Sequence, residues 1–121
     1  MYKIKIKIKQ IRNLIRWVPI IWRDRDWDYY FIYEILKQKL KHVEQYTSKY
    51  GSHVNSDIDT ENLRTAIDMI EKVQTEYHLD KYMLEAKSWT AEGIGQATKN
   101  HDKARKELFN FLNNNIEKWW D

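Results

Sequence analysis

The chain has 121 residues, a formal net charge of +3, no cysteine, three glycines and one proline. That length supports one domain with a modest core. The lack of cysteine excludes disulfides and thiolate metal sites, and it points to a reducing, cytosolic compartment. The longest uninterrupted apolar stretch, Trp17 to Trp22, falls far short of the ~18 residues needed to span a bilayer, so no transmembrane segment is expected. The N-terminus alternates lysine with isoleucine instead of forming an apolar run, which argues against a secretory signal.

Residues 3–9 alternate Lys and Ile with period two, as a half-buried strand would. The same isoleucines also fit a helix: Ile4, Ile8, Ile11, Ile15 and Val18 follow alternating steps of four and three, and Leu14 widens the stripe. A helix over about 4–17 is favoured, because a lone strand has no partner in this chain. Pro19 is expected to end it, with Val18 pushed toward extended geometry. Asp24 or Asp26 is then expected to cap a long helix reaching Tyr50, with Gly51 at its C-terminal end. Its apolar stripe reads Trp27, Phe31, Ile32, Ile35, Leu36, Leu40 and Val43, and Lys37 with Lys41 reads as an exposed basic row.

Residues 51–57 read as a turn, and Ser56 with Asp59 resembles a capping box. A third helix over about 58–77 places Leu63, Ala66, Ile67, Ile70, Val73 and Tyr77 on one face. Residues 78–81 read as a link. A weaker helix over about 82–91 is expected to be broken or bent at Gly93 and Gly95. The last helix, about 98–119, is expected to bury Ala104, Leu108, Phe111, Leu112, Ile116 and Trp119. The expected fold is therefore all-α, a small bundle of four or five helices in one domain, with residues 1–23 as a basic helical arm and 24–121 as the body.

Charge is distributed unevenly. Residues 1–25 carry eight cations and one anion, whereas residues 26–121 carry thirteen cations and seventeen anions. Such an arm suits a polyanion, an anionic membrane surface, an acidic partner, its own body or a neighbouring subunit. Without a helix-turn-helix partner, sequence-specific DNA reading is not expected.

Six tryptophans are present, and Trp17, Trp22 and Trp27 interleave with Arg16, Arg23 and Arg25. Indoles stack on bases and guanidinium forks grip phosphates. The expected ligand site is Trp22 and Trp27 for the base, with Arg23, Arg25, Arg16 and Lys37 for the phosphates. The bland counter-reading, in which the indoles glue the arm to the bundle, carries the greater weight. Trp119 and Trp120 point about 100° apart on one helix, so one of them is expected to meet the arm, a partner subunit or a ligand.

Other motifs fail on their chemistry. Asp24-x-Asp26-x-Asp28 lacks the glycine and glutamate of a calcium loop, with Tyr29 and Ile35 at those positions. His101-Asp102, with His78 or His53 upstream and Asp121 downstream, is a weak echo of metal phosphohydrolases and is read as the exposed start of a helix. Arg64, Asp68 and Glu71 are read as a solvated helix face. No cofactor and no metal is expected.

The segment Arg16 to Tyr29 (RWVPIIWRDRDWDY) and the ending Ile116 to Asp121 (IEKWWD) resemble a group of small uncharacterised bacteriophage proteins with a W-[KR]-D-R-D-W-D run and a W-W-D terminus. The resemblance implies a phage setting without a mechanism. The resulting expectation is a non-enzymatic accessory protein, an oligomer, that counters host defence by sequestering a nucleotide or cyclic oligonucleotide signal. The alternatives are an inhibitor or adaptor that binds a host defence protein, and a metal-dependent phosphohydrolase using His101 and Asp102.

Overall fold

A computed structural model describes residues 2–25, 28–51 and 55–119. They form five α-helices and a closing 3-10 turn: α1 (Tyr2–Arg23), α2 (Tyr29–Tyr50), α3 (Ser56–Gln74), α4 (Tyr77–Glu85), α5 (Ala91–Asn115) and the turn Ile116–Lys118. The fold is a small all-α bundle, with no strand among the described residues. The Lys-Ile alternation of residues 3–9 is thus helical.

The core lies where α2, α3 and α5 meet. α3 supplies Leu63, Ala66, Ile70 and Val73, four positions on one helical face, against Leu40 of α2 and Leu108 and Leu112 of α5. Tyr33, Leu36, Val43, Ala104, Phe111 and Trp119 pack around them. The short α4 lies against α5.

Several boundaries differ from expectation, each for a local reason. α1 does not stop before Pro19 but runs through it to Arg23. A proline inside a helix removes one donor, and here burial of Ile20 just beyond it favours continuation. The Arg23 Nε also donates to the Pro19 carbonyl at 3.0 Å, satisfying a terminal acceptor. The cap of α2 is Asp28, whose carboxylate accepts from the Tyr30 N–H at 3.0 Å; Asp24 lies outside the helix, and Asp26 lies outside the described residues. Gly51 does end α2, with φ −57° and its N–H bonded to the Thr47 carbonyl. Glycine is required there because a Cβ would sit 2.7 Å from the Ser56 Cβ.

Ser56 is the first residue of α3 and not its cap, a position held by Asn55. α3 stops at Gln74, and Tyr77 opens α4 instead of closing α3, because Glu76 adopts a left-handed conformation (φ 54°) that breaks the run. Gly93 and Gly95 do not break a helix; they lie inside the first turns of α5. Thr90 caps that helix by accepting from the Gly93 N–H at 2.9 Å. The Tyr82 ring occupies the space that a side chain at Gly93 would need. Of the expected apolar faces, Ile32 and Ile35 of α2 and Ile116 after α5 are exposed, while Trp27 and Trp120 lie outside the described residues.

Candidate anion-binding cleft

α1 touches the body through one side only. Trp17 meets His42 of α2 edge-on, with ring centroids 4.9 Å apart and planes at 77°. The Arg16 Nη2 donates to the Gln45 Oε1 at 3.0 Å. Between the two helices lies a cleft made of adjoining hollows of about 380 and 470 Å3, which share Lys9, Asn13, Arg16, His42 and Tyr46.

Helical spacing builds both walls. Lys5, Lys9, Arg12 and Arg16 follow steps of four, three and four along α1, and Lys39, His42, Tyr46 and Lys49 follow steps of three, four and three along α2. Trp17 and Trp119 flank one end and Tyr50 lines the other. The six lysines and arginines are all exposed, so the cleft is open to solvent. No carboxylate lines it among the described residues.

The charge leaves a mark on His42. Burial comes first, and the nearby Arg16 and Lys39 add to it, so its pKa is held below the ordinary 6.5. The Trp119 indole Nε1 is buried without an acceptor among the described residues. The cleft thus offers fixed positive charge, two guanidinium forks and several ring faces, the set that holds phosphate and base. Its volume falls in the range of about 300–1,000 Å3 common for small-molecule sites.

The residues singled out from the sequence are dispersed relative to this cleft. Arg16 lines it. Trp22 stands 86% exposed on α1. Arg23 is turned onto its own helix end. Arg25 stacks over the Phe31 ring at 5.8 Å, in a shallow hollow shared with Asp24 and Asp28. Trp27 lies outside the described residues. The expected convergence of Trp22, Arg23 and Arg25 is therefore not found.

Lys37 is not part of an exposed row but only 7% exposed. Its ammonium lies 2.6 Å from the Glu71 carboxylate, 2.7 Å from the Gln74 Oε1 and 3.2 Å from Glu34. Burial works against its charge, but the hydrogen bonds to Glu71 and Glu34 outweigh that and raise its pKa. Glu34 resists burial in the same way: bonds from Gln74, Gln38 and Lys37 hold its pKa low. This network ties α2 to α3 and leaves Lys37 nothing for a phosphate.

The alternatives also meet specific geometry. His101 and Asp102 lie within α5 and not at its start; His101 is half-buried, and Asp102 pairs with Arg105 at 3.3 Å. His53 and Asp121 lie outside the described residues. No group of three or more metal-ligating side chains occurs among the described residues. Arg64 pairs with Glu44, Asp68 with Lys72, and Glu71 with Lys37. A separate hollow of about 480 Å3 between α4 and α5 mixes Lys81 with Glu85 and shows no preference for one sign of charge.

Comparisons with protein families, with curated proteins and with solved structures return no match. The functional reading therefore rests on the cleft itself. Its signal was present in the sequence as two cationic rows at helical spacing. Helical spacing alone does not show that these two rows face each other, because that depends on how α1 docks on α2.

Proposed function

We propose that the α1–α2 cleft binds a phosphate-bearing nucleotide or short oligonucleotide and holds it without catalysis. The observation that carries this reading is the lining: Lys5, Lys9, Arg12, Arg16, Lys39 and Lys49 face one cleft with Trp17, Tyr46 and Tyr50, and no carboxylate lines it among the described residues. Like charges gathered on two facing helices repel one another, and an anion removes that cost. The rings add a sequence-tolerant surface for a base. The likeness of the two end motifs to small phage proteins suggests the setting, in which sequestering a host nucleotide signal counters a defence.

The test is a titration with linear and cyclic dinucleotides, read by tryptophan fluorescence and by melting temperature. Ligand at a hundredfold excess over Kd stabilises the protein by about 2.7 kcal/mol, a shift of several degrees. Arg16→Ala weakens binding by roughly ten- to a hundredfold, the usual loss for a charge-assisted contact, whereas Arg23→Ala leaves it unchanged. No response to any of these nucleotides, or equal loss in the two variants, refutes the reading.

A further inference from the structure

α1 has a second face, which among the described residues meets the cleft only at Ile8. Ile4, Ile8, Ile11, Ile15, Val18 and Trp22 form one unbroken stripe along the helix, and every one of them is exposed; Ile11 is 57% and Ile15 65% open to solvent. The side that docks on the body carries Asn13, Trp17 and the buried Ile20, half a turn away. Apart from Ile8, which also edges the cleft, the stripe therefore points away from the bundle. An uncovered apolar face of this length on an otherwise charged helix marks an interaction surface.

The charge on α1 selects its partner. The helix carries seven cations and no carboxylate. Pairing it with the same helix of a second copy sets two all-cationic rods side by side, which is unfavourable. An anionic surface has the opposite effect. Lys3 and Lys7 lie along one edge of the stripe and Lys5 and Arg12 along the other, positions from which long side chains reach headgroups while the isoleucines enter the acyl boundary. Trp22, at the end of the stripe, suits the interface, where indole rings concentrate.

We infer that α1 lies flat on an anionic lipid surface through this stripe, with the body and its cleft held on the water side. The helix lies on the membrane and does not cross it, since no described helix is long and apolar enough to span. This inference does not depend on the cleft binding a nucleotide: Lys5, Ile8 and Arg12 border both surfaces, but Ile4, Ile11, Ile15, Val18 and Trp22 do not line the cleft.

The experiment is co-sedimentation of the full chain with phosphatidylcholine vesicles, with and without about one-third phosphatidylserine. Binding is expected only to the anionic vesicles, with a blue shift of tryptophan emission and a decline as salt rises. The double variant Ile11→Gln, Ile15→Gln keeps the charge and the exposed positions, and it is expected to bind roughly tenfold more weakly or worse with unchanged helicity. Lys39→Gln, in the cleft, is expected to retain vesicle binding, and soluble glycerophosphoserine is expected not to compete. No binding to anionic vesicles overturns the inference. So does binding that the double variant retains, or that glycerophosphoserine abolishes, because the cleft then holds the headgroup. A concentration-dependent dimer that the double variant dissociates overturns it in favour of a second copy.

Discussion

Trp17 of α1 rests edge-on against His42 of α2, and this ring pair, with the Arg16–Gln45 hydrogen bond, holds the arm against the body beside Lys39. It couples the arm, the cleft and a titratable group. Partial burial first, and then Arg16 and Lys39 beside it, keep the pKa of His42 below the ordinary 6.5.

A pH dependence follows from that position. The folded protein holds fewer protons at His42 than the unfolded chain does, so stability declines as pH falls from about 6.5 through the depressed folded value. A bound phosphate reverses the local field and raises the pKa of His42. Nucleotide affinity is therefore expected to rise as pH falls across the interval between the free and bound pKa values. Titrations at several pH values check this, and His42→Gln is expected to flatten the profile while leaving binding itself measurable.

Lys37 holds α2 to α3 through Glu34, Glu71 and Gln74. Lys37→Met leaves a partly buried Glu34 without its cation, and the expected loss is about 3 kcal/mol by urea unfolding. Glu34, with its pKa lowered, contributes stability above the ordinary 4.5 that is lost as pH falls through the depressed value. Lys37, with its pKa raised, contributes stability below the ordinary 10.5 that is lost as pH rises through the raised value. Both limbs of the stability profile are expected to flatten in the variant, with nucleotide binding to the remaining folded protein intact.

The two α5 glycines are expected to respond oppositely to alanine. At Gly93 the new Cβ meets the Tyr82 ring, and Gly93→Ala is expected to cost about 1–3 kcal/mol. At Gly95 nothing lies within 4 Å, and Gly95→Ala is expected to stabilise by roughly 0.5–1 kcal/mol through helix propensity. Thermal unfolding of the two variants side by side measures the difference.

Glu76 holds a left-handed backbone while its carboxylate accepts from the Tyr29 hydroxyl at 2.7 Å. Glu76→Gly relieves about 1 kcal/mol of backbone strain but loses that bond. The gain is expected to be larger in a Tyr29→Phe background, where the bond is already absent. A double-variant cycle by chemical denaturation reads the difference directly.

Much of the fold was legible because helical periodicity is a strong signal. Leu63, Ala66, Ile70 and Val73 announce the buried face of α3, and Leu108 and Leu112 that of α5. The boundaries were harder, since they hinge on single contacts such as Asp28 with Tyr30 or Gly93 with Tyr82, between residues whose spacing is ambiguous. Lys37 reads as exposed in the sequence because nothing in its own helix shows that Glu71 and Gln74 arrive from α3. For the site, residue types were better guides than positions. The basic arm and its indoles point to an anion, yet among the described residues only Arg16 of the expected set lines the cleft, because Trp22 lies on a different side of α1 from Trp17.

The most direct test of the central claim follows the indole N–H signals of the tryptophans and the ring signals of His42 by NMR while a dinucleotide is added. Trp17, Trp119 and His42 line the cleft, whereas Trp22 stands out in solvent on the far face of α1 and Trp89 bonds the Met83 carbonyl at the end of α4. The account predicts shifts at Trp17, Trp119 and His42, with Trp22 and Trp89 unmoved. Shifts confined to Trp22 or Trp89, or none at millimolar dinucleotide, contradict it.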